Sequence, residues 1–250
     1  MNNENNQKVM IITGTSRGIG NKLALYFIKK KFIVCGCSRK DSKIKHENYR
    51  HFILDVSNEE LVVKMIKSVV NEFKRIDVLL NNAGIASMNH ILTTPYSAIQ
   101  NIFNTNVFGS FLFLREVSKV MGIQFNRAKR LKNTKNCNFR IINFATIATP
   151  LRLEGEAAYA ASKASIINLT QIAAKELAPF NITINAIAPT PIQTDLIRFI
   201  PKEKIKALLE KQAIKRLANI KDIINVINFF INKNSNFITG QVVYLGGVNE

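Results

Sequence analysis

Short apolar runs alternate along the chain with longer segments in which apolar and polar positions are mixed. The runs predict strands at residues 8–13, 32–37, 51–54, 77–80, 140–145, 183–187 and 241–245. Most place Ile, Val and Phe on consecutive positions, the pattern of strands buried on both faces. The segments between them predict helices opening near Gly18, Asn58, Pro95, Asn106, Glu156, Asp195 and Ile220. Such alternation specifies an α/β fold, a parallel sheet covered by helices with right-handed crossovers. No internal repeat or Pro/Gly/Ser-rich linker breaks the pattern. One domain over residues 1–250 is expected, with a polar tail at 1–7 and a basic loop at 126–138.

Composition narrows the classes. With 250 residues, 47% of them hydrophobic, the chain can bury a substantial core. No apolar run approaches the roughly 20 residues that cross a bilayer, so no membrane span is expected. The start, Met1 to Gln7, is polar and carries Glu4, unlike a secretory or transit leader, and the expected compartment is the cytoplasm. Lys and Arg number 35 against 17 Asp and Glu, a formal net charge of +18. Nucleic acid, an anionic membrane or an acidic protein would suit that charge. A Lys-rich bias spread over a solvated surface, as in Lys29-Lys30-Lys31, would give the same total. Of the three cysteines, Cys35 and Cys37 stand two apart on one face of a strand. No second Cys/His cluster completes a metal site, so buried structural thiols and no metal are expected.

Candidate chemistry first shows itself where the first strand meets the first helix. The strand ends at Thr13 and is followed by Gly14-Thr15-Ser16-Arg17-Gly18-Ile19-Gly20. Glycines there permit a tight turn and let a pyrophosphate approach backbone N–H groups at a helix N-terminus. A glycine cluster alone also shapes ordinary strand-to-helix turns; its place in the chain is what raises this one. At the end of the second strand an acid would hydrogen-bond an adenosine ribose, but Ser38-Arg39-Lys40 stands there. Arg39, helped by Arg17, can clamp a 2′-phosphate through charge-assisted hydrogen bonds. Two solvated arginines in a basic protein are the plainer account, yet the missing acid also points to NADP(H) rather than NAD(H).

A second constellation lies further on. Tyr159 and Lys163, four apart in an Ala-rich helical segment, leave one helix face together. An ammonium beside the phenol is expected to lower its pKa and fit Tyr159 to proton transfer. Taken alone, such a pair is ordinary surface decoration. Upstream, however, residues 141–145 read as a buried strand that delivers the hydroxyl of Thr146 to the carboxyl edge of the sheet, where ligands bind. Asn81-Asn82-Ala83-Gly84 and Ala188-Pro189 leave their strands at that same edge.

In their order and spacing, Thr13-Gly14-x-x-x-Gly18-Ile19-Gly20, Asp55-Val56, Asn81-Asn82-Ala83-Gly84, Asn106-Val107-x-Gly109, Tyr159-x-x-x-Lys163 and Pro189 through Thr194 are specific. On them the chain resembles the short-chain dehydrogenase/reductases from Lys8 to Gly247. The resemblance implies a single Rossmann-type doubly wound domain, a seven-stranded parallel sheet flanked by helices. It implies an NADP-dependent oxidoreductase acting on CH–OH or C=O groups, with Tyr159 as general acid/base and Lys163 holding the nicotinamide ribose. Asn106 would anchor a water linking Lys163 to solvent. Cofactor contacts are implied for Gly14, Ser16, Arg17, Gly18, Ile19, Gly20, Arg39 and Asn82, and for Asp55 and Val56 on the adenine side. Ala83 and Gly84 would meet the adenosine side, with Pro189, Ile192 and Thr194 towards the nicotinamide. Two departures matter. Thr146 replaces the usual substrate-orienting Ser, adding a methyl group and a restricted χ1, so a tighter pocket is expected. Thr190 follows Pro189 where a Gly is usual, and the loss of positive φ is expected to reshape the nicotinamide pocket.

Within that family the nearest likeness is to bacterial 3-oxoacyl-[acyl-carrier-protein] reductases. It is carried by residues 13–20, Asn185-Ala186-Ile187-Ala188-Pro189 and Ile238-Thr239-Gly240-Gln241. It implies a 3-oxoacyl thioester substrate, a place in fatty acid biosynthesis and an acyl carrier protein as partner. It also implies a homotetramer or dimer sharing the helices after Pro95 and Asn106. These segments serve cofactor and scaffold, so a sugar, a polyol or another small carbonyl or alcohol stays open as substrate. A non-enzymatic NADP- or nucleic-acid-binding protein also stays open, against the intact Tyr159, Lys163 and Asn106 and the lack of a nucleic-acid motif. The substrate-facing segment expected at 191–217 is the least legible part.

Overall fold

In the computed structural model, which describes residues 7–134, 137–192 and 202–248, the predicted strands assemble into one sheet. They are β1 (Val9–Thr13), β2 (Ile33–Ser38), β3 (Tyr49–Ile53), β4 (Val78–Asn81), β5 (Phe139–Phe144), β6 (Ile182–Ala188) and β7 (Val242–Tyr244). Their spatial order is β3-β2-β1-β4-β5-β6-β7, with every neighbouring pair parallel. The chain reverses its direction of travel across the sheet between β1 and β4, which opens a crevice at their carboxyl ends. Every residue of β1, β2, β4, β5 and β6 is buried, which is why these strands read as unbroken apolar runs. The observed strand ends lie within two residues of the expected ones.

The helices are α1 (Gly18–Lys29), α2 (Glu59–Phe73), α3 (Tyr96–Phe103), α4 (Gly109–Arg130), α5 (Ala148–Leu151), α6 (Ala157–Leu177), α7 (Lys202–Glu210) and α8 (Ile220–Ile231). Side chains of α2, α4 and α6 pack on one face of the sheet against Val9 and Ile11. Those of α1 and α8 pack on the other, against Met10 and Ile12. Local chemistry sets the helix ends. The Asn58 side chain accepts the Leu61 N–H at the start of α2, and Asn219 with Asp222 forms a reciprocal capping box at the start of α8. Between α3 and α4, Asn104–Phe108 form a π-helical turn in which the Gly109 N–H reaches back to the Asn104 carbonyl.

One expected boundary is corrected. The basic stretch 126–138 does not begin as a loop, because α4 continues through Arg130. Arg127, Lys129 and Arg130 lie in its last turn, where the negative end of the helix dipole favours cations. The helix expected near Asp195 lies outside the described residues, as do residues 1–6 of the tail and Lys135. Among the described residues no helix is long and apolar enough to cross a membrane.

Candidate active site

At the carboxyl edge of β1 the backbone turns through Gly14 (φ 78°) and Gly18 (φ 63°), in the region that favours glycine. A Cβ on Gly20 would stand 2.2 Å from the Gly14 carbonyl oxygen, so only glycine lets α1 start so close to the loop. Neighbouring strands hold the loop in place. Asn82 Nδ2 donates to the Thr13 carbonyl at 2.8 Å, and the Ala83 N–H donates to Thr13 Oγ1 at 2.9 Å. From β2 the Cys37 carbonyl accepts the N–H groups of both Gly14 and Thr15. Arg17, the N-cap of α1, makes no side-chain capping bond, and a Cβ on Gly18 would meet nothing within 4 Å. Open space over an uncapped helix N-terminus suits a pyrophosphate.

Along the same edge Ser38 is buried, while Arg39 and Arg17 are exposed. Asp55 follows β3. Burial alone would raise its carboxyl pKa, but hydrogen bonds from the Ser57 hydroxyl and N–H, with the Arg39 charge, bring it below the usual value. Asp55 therefore lies within electrostatic reach of Arg39 at this edge. The Val56 side chain is packed in the core, where a Cβ on Gly109 would stand 2.6 Å from its Cγ2.

The reacting groups come from β5 and α6. Thr146 stands two residues beyond the end of β5, and its Oγ1 accepts the Ala148 N–H at 3.2 Å. The Thr146 hydroxyl acts on the Tyr159 phenol and favours its ionised form. Burial raises the Tyr159 pKa, the Thr146 hydroxyl opposes the rise, and Glu156 adds to it. The expected lowering by Lys163 is therefore overturned. The physical reason is where the ammonium goes: Lys163 Nζ donates to the Phe144 carbonyl at 2.6 Å. Burial lowers the pKa of Lys163 itself to about 8.

Asn106 lies within the π turn and is fully buried. Its carboxamide accepts the Ile85 N–H (2.8 Å) and donates to the Ile85 carbonyl (2.9 Å) and to Ser162 Oγ (3.0 Å). Ser162 Oγ in turn donates to the Tyr159 carbonyl at 2.7 Å. The exit of β4 is so bolted to α6, and the carboxamide is taken up by protein partners. A Cβ on Gly84 would lie 3.2 Å from Asn106 Oδ1 and 3.4 Å from Lys163 Nζ, so these three residues meet at one point.

The pocket wall after β6 accommodates its unusual residue. Thr190 is buried and is not among the positive-φ residues, and its methyl stands 2.9 Å from where a Cβ on Gly246 (φ 82°) would be. Space for Thr190 is thus supplied by the glycine opposite. Pro189 accepts the Ile147 N–H through its carbonyl, and Ile192 is buried and bridges to Ala218. Thr194 lies outside the described residues.

Sequence reasoning passed over several residues that hold this site together. Thr13 and Ser162 make the bonds just described. A buried polar line also runs beneath them, Asn81 Nδ2 donating to Asn143 Oδ1 (3.0 Å) and Asn143 Nδ2 to Thr170 Oγ1 (2.8 Å). The available signal was Asn143, a lone polar residue inside the apolar run Ile141-Ile142-Asn143-Phe144, since a buried amide needs a partner. Cys35, Cys37 and Cys137 are free and buried, and burial pushes the first two thiols up to about 12.

A glycine cradle at the switch point of a parallel sheet, with a Tyr–Lys helix beside it, places the protein among nicotinamide-dependent oxidoreductases of Rossmann architecture. The family model described as "Enoyl-(Acyl carrier protein) reductase" matches residues 14–249. The chain belongs to the short-chain dehydrogenase/reductase family, oxidoreductases acting on CH–OH or C=O groups. The 3-oxoacyl-[acyl-carrier-protein] reductase FabG of Staphylococcus epidermidis is 32% identical over 250 residues, covering 96% of this chain and 98% of the relative. The solved structure of ElxO with NADP bound is 30% identical, has a TM-score of 0.81 and covers 96% of this chain and 97% of its own. That of 4-hydroxyisoleucine dehydrogenase complexed with NADH is 27% identical, with a TM-score of 0.82 and coverage of 97% and 99%.

Proposed function

We propose that the chain is an NADPH-dependent reductase of 3-oxoacyl thioesters, giving the 3-hydroxyacyl product with Tyr159 as general acid. The observation that carries the chemistry is the convergence of Lys163 and Asn106 at Gly84, with Lys163 one helical turn beyond Tyr159 on α6 and the Thr146 hydroxyl acting on the Tyr159 phenol. When bound, the nicotinamide supplies hydride to the carbonyl carbon. Thr146 orients the carbonyl oxygen and donates a hydrogen bond as negative charge develops there. Tyr159, kept protonated at neutral pH by burial, gives its proton to that oxygen. Lys163, with a pKa of about 8, is mostly cationic at neutral pH and is assigned to the nicotinamide ribose. Asn106 positions the segment that carries Gly84.

The choice of NADPH rests on Ser38-Arg39 standing where an acid would select NADH. One solved relative holds NADP and another NADH, so the support for NADPH comes from the chain's own residues. Likeness over the whole length to a 3-oxoacyl-[acyl-carrier-protein] reductase supports the thioester. The likeness to 4-hydroxyisoleucine dehydrogenase supports a second reading, a small alcohol or carbonyl substrate. Exposed Tyr96, Phe108 and Phe111 on α3, the π turn and α4 support a homo-oligomer sharing that face. Three free thiols without a disulfide suit the reducing cytoplasm. The test is NADPH oxidation, followed at its absorbance band, with acetoacetyl thioester beside a panel of sugars, polyols and small ketones. Thioester turnover exceeding the panel supports the first reading. Turnover of a panel compound alone transfers the assignment to the second.

A further inference from the structure

The bend that carries Arg39 is held from below by a chain of hydrogen bonds that the glycine motif does not require. Alternation along β2 puts Val34, Gly36 and Ser38 on one face, and Gly36 lies opposite His51 of β3 in the register. A Cβ on Gly36 would stand 2.4 Å from both Thr15 Oγ1 and Tyr49 Oη. Those two hydroxyls fill the space, hydrogen-bonded at 2.9 Å, and Tyr49 Oη lies 2.9 Å from His51 Nδ1. On the far side of the ring, His51 Nε2 is 3.0 Å from the Lys40 carbonyl oxygen and 3.2 Å from Ser38 Oγ. Ser38 Oγ donates to that same carbonyl at 2.7 Å. A carbonyl only accepts, so Nε2 is the donor there; on the other side of the ring Tyr49 Oη, which donates to Thr15 Oγ1, lies within hydrogen-bond distance of Nδ1. Thr15 and Tyr49 are both buried, so neither hydroxyl can turn to solvent instead. One path of bonds, Thr15–Tyr49–His51–Lys40, therefore joins the glycine loop to the bend bearing Arg39.

We propose that His51 is a positioning residue for recognition of a 2′-phosphate. Through the Lys40 carbonyl it fixes the bend that presents Arg39, and through Tyr49 it sets that bend against Thr15 of the pyrophosphate loop. The proposal rests on the reading of the chain as NADP-dependent. Without the imidazole, Ser38 alone holds the Lys40 carbonyl, and a long exposed arginine on a loosened bend must be ordered at the ligand's expense.

Calorimetric titration with adenosine 2′,5′-bisphosphate and with 5′-AMP tests this, because the two ligands differ only in the 2′-phosphate. The wild-type protein is expected to prefer the bisphosphate. His51→Leu should weaken the bisphosphate roughly tenfold, the loss of one hydrogen bond acting on a charged contact, and leave 5′-AMP unchanged. His51→Gln, whose amide N–H can replace Nε2, should recover most of the loss. Tyr49→Phe should fall between. A bisphosphate-to-AMP affinity ratio in His51→Leu equal to wild type overturns the positioning role. So does a parallel loss for both ligands, which marks general disruption. A wild-type protein with no preference for the bisphosphate overturns the NADP reading itself, and the proposal with it.

Discussion

Replacing Tyr159 by Phe removes one oxygen and leaves a ring of the same shape on α6. Turnover is expected to vanish while NADPH binding, followed by fluorescence, stays near wild type. Retention of more than a few per cent of kcat would exclude Tyr159 as the acid. Thr146→Ala should be nearly as severe, since the carbonyl loses its orienting donor and Ala148 its acceptor, whereas Thr146→Ser should be mild. Lys163 invites a different measurement. Its pKa falls from 10.5 to about 8 on folding, so between those values the unfolded chain binds more protons than the native one. Stability therefore rises with pH through that window and carries the full penalty below it, on the order of 3 kcal/mol at 1.36 kcal/mol per unit. Lys163→Met should abolish activity yet stabilise the fold at pH 7 by about 1–3 kcal/mol, less than the full penalty because the Phe144 carbonyl loses its donor. The advantage should close between pH 8 and 10.5, as read by urea unfolding across the range. A gap independent of pH would mean that the ammonium is not desolvated. Tyr159, Lys163, Thr146 and the glycines were legible in the sequence because each carries a short local signature. The direction of Lys163 was not, because nothing near it in the chain announces the Phe144 carbonyl.

Among the elements, legibility followed burial. Strands enclosed on both faces left continuous apolar runs, and their positions could be read to within two residues. The start of α8 was also open to reading, since Asn219 and Asp222 stand three apart before Ile223 and Ile224. Asn219→Ala should cost about 1 kcal/mol through the lost cap, measurable as a lower Tm without change in cofactor affinity. An unchanged Tm would show the box to be dispensable. Other elements left weaker traces. The extension of α4 to Arg130 was hidden because its last turn is polar and basic, like a loop, and only the dipole reveals why cations suit it. The π turn at Asn104–Phe108 was invisible because it shifts the helical period by a single residue. It nevertheless lies where Asn106 must reach Ile85 and Ser162 together.

The molecule as a whole has two unlike ends. Cofactor loop, Thr146 and Tyr159 occupy the carboxyl edge of the sheet, while Arg127, Lys129, Arg130 and Lys132 gather where α4 gives way to β5 at the opposite edge. The formal charge of +18 makes the second end a candidate for docking an acidic partner such as an acyl carrier protein, attracted by long-range steering. Lys129→Glu, Arg130→Glu and Lys132→Glu together should raise KM for a carrier-bound substrate and flatten its salt dependence, with a small thioester unaffected. Because acids suit a helix C-terminus poorly, a stability loss of roughly 0.3–1 kcal/mol per helical site should accompany the change. Equal kinetics on the carrier-bound substrate at low ionic strength would reduce the patch to a solvated surface.

The buried thiols give the protein an internal clock. All three cysteines are enclosed, and at a pKa of about 12 Cys35 and Cys37 are almost wholly protonated at pH 8. A reagent that alkylates thiolates must therefore wait for the structure to open, and its rate counts openings instead of surface sites. Both residues lie on β2, and the Cys37 carbonyl receives the amides of Gly14 and Thr15, so the strand that must open is the one on which the glycine loop rests. A dinucleotide that binds only the closed form slows labelling by the factor 1 + [L]/Kd. Cofactor preference can thus be timed in an unmodified chain, with no substrate present.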